Sequence, residues 1–390
     1  MTHRYGIEFE VPPALIAQQP VSPRDSAKLL VYRRADKTIT DDYFYNLDKY
    51  LVPETTLVVN NSKVEQCRWL FPKQSALVSL PTSRASSTAD FSGISASGPC
   101  ESRGAVPNVR LTNNSRSFDG TASSPNSSEI NDVEIFVLEK LDNRRIVAMV
   151  KPGRKFKLGK KLVLADGIEA TVTAINDDGH RTLEFNLDHD SPMLKQYEHV
   201  PLPPYIAQND SLEAEYQTVY AKQLGSKAAP TAGLHFTDKL LAKIRNSHAY
   251  AEVDLKVGLG TFAPLTEVQY KAGALHAESF EVSAENSHII TGAKHITAVG
   301  TTSLRTLESL PNRQPVSGQG FSGKTNIFIK PGYEFMNVDS LITNFHLPGT
   351  SLLLLVEAFV GSANELLRIY QHALKKQYRF YSFGDAMLII

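Results

Sequence analysis

Cysteine is almost absent from this 390-residue chain, which holds only Cys67 and Cys100. Two thiols build neither a disulfide framework nor a thiolate metal site. Long apolar runs are lacking as well. The most apolar stretch, Ser351–Val360, is broken by Glu357 and falls short of the ~20 residues a membrane-spanning helix needs. The first residues carry Glu8, Glu10, Pro12 and Pro13 where a signal peptide would be apolar, so a cytoplasmic location is expected. An excess of charge is missing too, because 41 Lys and Arg balance 41 Asp and Glu. A neutral chain does not capture nucleic acid over its whole surface, and only a local basic face remains as an electrostatic route to RNA.

What is present fits a folded protein of roughly two domains, with 42% hydrophobic and 21% charged residues. One stretch departs from that average. Pro72 to Ile130 contains 15 serines and no sustained apolar period. Such a composition cannot bury enough apolar surface to offset the entropy of ordering, and a disordered insertion is expected there. Downstream, Val133–Glu139, Arg145–Val150, Ala170–Ile175 and Thr182–Leu187 are short runs rich in Val, Ile and Phe, separated by turn residues such as Asp177-Asp178-Gly179. They predict a small barrel or sandwich domain over 65–188, interrupted at 72–130.

The rest, 1–64 and 189–390, forms the larger domain. Leu57–Asn60, Ala251–Val257, Ile296–Val299, Ile327–Ile329 and Leu341–Asn344 read as strands ending in loops. Helices are expected over Thr237–Arg245, with Thr237 as N-cap, and over Ala363–Gln377.

The loops carry the chemistry. Thr231, Gly233 and His235 precede a helix N-terminus, where unpaired amides favour anions. Gly258-Leu-Gly-Thr-Phe-Ala263 matches a dinucleotide fingerprint formally, but Pro264 follows at once with no helical period, so Gly258, Gly260 and Thr261 indicate close backbone approach to a ligand and little more. Gly300-Thr-Thr-Ser-Leu-Arg305 reads as a strand-to-helix junction, with Thr302 or Ser303 as cap and Arg305 in the first turn. A cation there opposes the helix dipole and points to an anionic ligand. His276 and Glu278 stand two apart on an alternating strand, which predicts one shared face and proton exchange between them. Asn344 and His346 follow another strand. Lys151 to Lys161 holds six basic residues and no acid, a candidate site for phosphate binding.

Further segments extend the pattern: Leu15-Ile-Ala-Gln-Gln-Pro20 with Arg24-Asp25, Leu57-Val-Val-Asn-Asn61, Lys151-Pro-Gly-Arg-Lys155, Pro201-Leu-Pro-Pro-Tyr205 and Tyr216-Gln-Thr-Val-Tyr-Ala221. After them come Ala229-Pro-Thr-Ala-Gly-Leu-His-Phe236, Val257-Gly-Leu-Gly-Thr-Phe262, Val299-Gly-Thr-Thr-Ser303, Thr343-Asn-Phe-His-Leu-Pro348 and Gly384-Asp-Ala-Met-Leu388. In this order, over more than three quarters of the chain, they resemble the S-adenosylmethionine:tRNA ribosyltransferase-isomerases of queuosine biosynthesis.

The resemblance implies an α+β fold in which a larger barrel-like sheet with helices carries a smaller inserted β-barrel. It implies transfer and isomerisation of the ribosyl part of S-adenosylmethionine onto 7-aminomethyl-7-deazaguanine at the tRNA wobble position, giving epoxyqueuosine, adenine and methionine. S-adenosylmethionine is then a co-substrate, with no metal and no other cofactor, and a monomer is expected. On this basis His235, His276 and Glu278 are assigned to proton transfer. Arg305, helped by Thr301 and Thr302, is assigned to the methionine carboxylate. Gly258, Gly260 and Thr261, with Thr231, Gly233, Asn344 and His346, are assigned to the nucleoside, and Lys151, Arg154 and Lys155 to tRNA phosphates. One departure stands out: Asn61-Ser62-Lys63-Val64 replaces a stretch that usually carries Asp and Arg. It leaves a catalytically impaired RNA-binding relative as the alternative.

Overall fold

The structure, a computed structural model, describes residues 6–72, 133–207, 209–258, 265–311 and 319–390. Its backbone is a nine-stranded mixed sheet. The strand order is Phe321–Ile327, Ala274–Val282, Ala249–Leu255, Thr55–Asn60, His295–Val299, Ser340–Asn344, Ala386–Ile389, Lys28–Arg33 and Thr38–Tyr43. The four strands Ala249–Leu255, Thr55–Asn60, His295–Val299 and Ser340–Asn344 run parallel to their neighbours in that group. Thr55–Asn60 is buried along its whole length, as a central strand covered on both faces must be.

Alternation along these strands divides two cores. Val58, Ala298, Leu341 and Met387 face Leu304, Leu353, Val356, Leu366 and Ile369 of helices Gly300–Glu308, Ser351–Val360 and Ala363–Lys375. Leu57, Val59, Val299 and Leu388 face Leu240, Leu241 and Ile244 of helix Asp238–Ser247, together with Phe44 and Phe236. Thr237 caps that last helix as expected, accepting from the Leu240 amide at 3.2 Å. Ser351–Val360 is apolar nearly all round because it is packed inside the first core, and no helix among the described residues is long and apolar enough to cross a membrane.

The sheet is open. Its edge strands do not pair with each other among the described residues, so the α+β sheet flanked by helices is as the resemblance implies, but in place of a closed barrel it is a mixed sheet with two edges. Thr38–Tyr43 is mostly exposed and carries Asp41 and Asp42, charge of the kind that blunts an edge.

A second sheet has seven strands, all antiparallel to their neighbours, in the order Glu198–His199, Arg68–Phe71, Val133–Lys140, Arg145–Lys151, Arg181–Phe185, Glu169–Ile175 and Lys161–Val163. It encloses its own core of Trp69, Phe71, Ile135, Ile146, Phe156, Ile168, Leu183 and Phe185. Phe71 is the register partner of Val133, so the serine-rich stretch joins two adjacent strands; from residue 73 it lies outside the described residues.

Candidate active site

Parallel pairing places the C-terminal ends of four strands at one end of the sheet. There the chain leaves Thr55–Asn60 for Asn61 and Ser62, Ala249–Leu255 for Gly258, His295–Val299 for Gly300, and Ser340–Asn344 for His346. Crevices outside such carboxyl ends are where open α/β sheets bind ligands.

Residues Thr231–His235 form a short 3-10 helix at this end. Thr231 Oγ1 donates to Asn344 Oδ1 at 2.8 Å, and Asn344 Nδ2 donates to His235 Nε2 at 3.2 Å. The imidazole therefore carries its proton on Nδ1. Burial pushes its pKa down to about 3, and Arg379 and Arg24 add to that shift. A neutral His235 at pH 7 accepts and donates hydrogen bonds but lacks the acidic second proton of an imidazolium. Phe44 packs at 5.0 Å from the ring, and Leu234 and His235 line a small cavity with Arg24, Arg379 and Ser382.

Arg305 and Glu278 form a buried ion pair, with Nη1 donating to Glu278 Oε2. Glu278 Oε1 accepts from the Gly258 amide at 2.9 Å. Three expectations change here. Helix Gly300–Glu308 begins at Gly300, whose φ is +85°, so Val299 is the N-cap and neither Thr302 nor Ser303 caps. Ser303 instead donates to the Val299 carbonyl at 2.7 Å. Arg305 is consequently past the first turn, where the dipole opposes it little. His276 and Glu278 do not share a face: a register irregularity between Ala274 and Glu278 breaks the alternation, leaving Glu278 buried and His276 exposed.

His346 turns back on its own strand, with Nε2 at 2.8 Å from Thr343 Oγ1 and its amide donating to Tyr370 Oη at 2.9 Å. Burial lowers its pKa to about 4. Thr301 and Thr302 are buried at the start of the Gly300–Glu308 helix. Gly260 and Thr261 lie outside the described residues. Lys151, Arg154 and Lys155 stand apart from this end, on the seven-stranded sheet, where Lys151 and Arg154 are exposed.

Several polar atoms at the strand ends are buried with no hydrogen-bond partner among the described residues: Ser62 Oγ, Asn61 Oδ1, Thr218 Oγ1, Tyr220 Oη, Thr302 Oγ1, and Arg305 Nε and Nη2. Buried polar groups are normally satisfied, and other unpartnered atoms lie elsewhere, such as Trp69 Nε1 in the core of the second sheet and Glu357 Oε2. Thr218 and Tyr220 were not singled out from sequence. Both lie in the segment Tyr216-Gln-Thr-Val-Tyr-Ala221, and Gly233, whose missing side chain makes room for both, gives them their place. Away from the strand ends, His199 Nδ1 lies 3.0 Å from Glu213 and 3.2 Å from Asp210.

A family model described as "Queuosine biosynthesis protein" matches residues 5–88 and 108–389. The S-adenosylmethionine:tRNA ribosyltransferase-isomerase of Thermosynechococcus vestitus is 38% identical over 98% of this chain and 94% of its own length. The proteins of the same name from Thermosipho africanus and Thermotoga maritima are 38% and 37% identical, each over 98% of both chains. A crystal structure of the S-adenosylmethionine tRNA ribosyltransferase of Thermotoga maritima aligns with a TM-score of 0.48 at 30% identity, covering 98% of this chain and 99% of that one. The chain belongs to the queuosine biosynthesis protein family.

Proposed function

We propose that this protein transfers the ribosyl moiety of S-adenosylmethionine to 7-aminomethyl-7-deazaguanine at the tRNA wobble position and isomerises it to epoxyqueuosine, releasing adenine and methionine. The observation that carries the reading is full-length membership of a family whose relatives bear that enzyme's name, together with unpartnered buried polar atoms gathered at the strand ends.

The chemistry needs an anchor for the methionine carboxylate, hydrogen bonds for the nucleoside and a base for the proton beside the sulfonium. Arg305 suits the first, with Thr301 and Thr302 at its side. Thr231, Gly233, Gly258, Asn344, His235 and His346 suit the second, since both histidines are neutral at pH 7. Low basicity makes His235 a poor proton acceptor, and His276, exposed and off the face of Glu278, does not form a proton-exchanging pair with that carboxylate. Lys151, Arg154 and Lys155, carried with the seven-stranded sheet, which Glu198–His199 extends beyond the 65–188 expected for the inserted unit, meet tRNA phosphates. Adenine release from S-adenosylmethionine in the presence of tRNA carrying the aminomethyl base tests the reading; no release, with the tRNA still bound, would overturn it.

A further inference from the structure

Arg305 is 4% exposed, yet only Nη1 has a hydrogen-bond partner among its side-chain nitrogens in the described residues. The open atoms, Nε and Nη2, form the edge of a guanidinium along which two N–H bonds run parallel, the arrangement that receives both oxygens of a carboxylate. Thr302 stands three residues earlier on the same helix, on the same side, with its Oγ1 also buried and unpartnered. Behind the guanidinium sits Glu278, which is itself held: Oε2 takes Arg305 Nη1 and Oε1 takes the Gly258 amide. A guanidinium cannot shed its charge, and a buried charge without a partner is costly. Glu278 therefore meets a need that exists before any substrate arrives.

We propose that Glu278 is a positioning residue: it clamps Arg305 through Nη1 and Gly258 through its amide, so that the Nε–Nη2 edge is presented to the methionine carboxylate of S-adenosylmethionine. It moves no proton. The inference rests on reading these strand ends as an S-adenosylmethionine pocket. It also sets a preference for the charge of the ligand. The Arg305–Glu278 pair is neutral, so a carboxylate brings one negative charge next to Glu278 whereas a phosphate dianion brings two.

Calorimetry on the full chain tests this with two probes, S-adenosylmethionine and its decarboxylated form. Glu278→Gln keeps the shape and removes the charge. It is expected to weaken S-adenosylmethionine binding roughly tenfold, the lower range for a charged hydrogen bond, and to leave the decarboxylated probe unaffected. Turnover of the same variant is expected to show a raised KM, a near-normal kcat and an unchanged pH profile. Glu278→Asp, which restores charge on a shorter arm, is expected to recover part of the affinity and serves as the second variant if the glutamine form does not fold. Equal weakening of both probes would show a merely structural role. Unchanged affinity with a collapsed kcat would show proton transfer. Either overturns the proposal while leaving the parent reading intact. Failure of the wild-type chain to bind either probe overturns both.

Discussion

Tyr220 lies against Gly233 so closely that a Cβ on the glycine would fall 1.9 Å from the tyrosine hydroxyl oxygen and 2.9 Å from Thr218 Cγ2. The two surfaces interlock only because Gly233 has no side chain.

Gly233→Ala is therefore expected to cost about 2 kcal/mol or more in stability through overpacking, and to lower activity by shifting the Thr231–His235 turn. Tyr220→Phe in the same chain removes the nearest clash and is expected to recover part of the loss. Urea midpoints of the single and double variants check this; full additivity would show that the two residues do not meet. Tyr220→Phe alone deletes a hydroxyl that has no partner among the described residues, so it should leave stability nearly unchanged.

Acid sensitivity follows from the buried histidines. The folded-state pKa of His235 is lowered to about 3 and that of His346 to about 4, against 6.5 when unfolded. Their contribution is fully present above pH 6.5 and is lost as pH falls towards those values, because the unfolded chain takes up the protons. At pH 5 the His235 contribution to the loss is about 2 kcal/mol. His235→Gln is expected to flatten the decline in urea midpoint between pH 7 and pH 5. An unchanged slope would mean that this imidazole is already charged in the fold.

Asn61 lies in the stretch where the family pattern usually carries aspartate, and here its Nδ2 donates to Glu252 Oε2 at 2.9 Å, with Lys222 closing on the same carboxylate at 2.7 Å. Asn61→Asp would set two acids against each other in a buried place. The expected cost is about 1–3 kcal/mol at pH 7, shrinking as pH falls, because a like-charged neighbour raises the folded-state pKa of the new group. Thermal midpoints at pH 7 and pH 5 measure it; equal cost at both would remove the electrostatic explanation.

Reversal of charge at Lys151, Arg154 and Lys155 is expected to weaken tRNA binding and to reduce the slope of log affinity against log salt by about one for each phosphate no longer neutralised. An unchanged slope would take the basic run out of the RNA interface.

The strands that end at the site were legible as short apolar runs bounded by loops, as Leu57, Val58 and Val59 show, whose split between two cores is visible only in the fold. The loops at Gly258, Gly300 and Asn344 were legible for the same reason, as strand ends. What escaped depended on a partner elsewhere in the chain. The alternation of His276 and Glu278 fails because of how that strand pairs with Phe321–Ile327. The start of the Gly300–Glu308 helix is set by a left-handed glycine, where a cap by Thr302 or Ser303 was expected. Tyr220 and Thr218 lie in a segment with no period of its own, and only their packing on Gly233 gives them a place.

Phe71 and Val133 face each other across one rung of the smaller sheet, so the chain between them leaves and returns at nearly the same point. Since closure entropy grows only with the logarithm of loop length, the gap suits a splice point: cutting out residues 89–107, which the family model skips, should leave the rest of the protein to fold, bind and turn over as before, and a foreign domain with adjacent termini could be carried there instead.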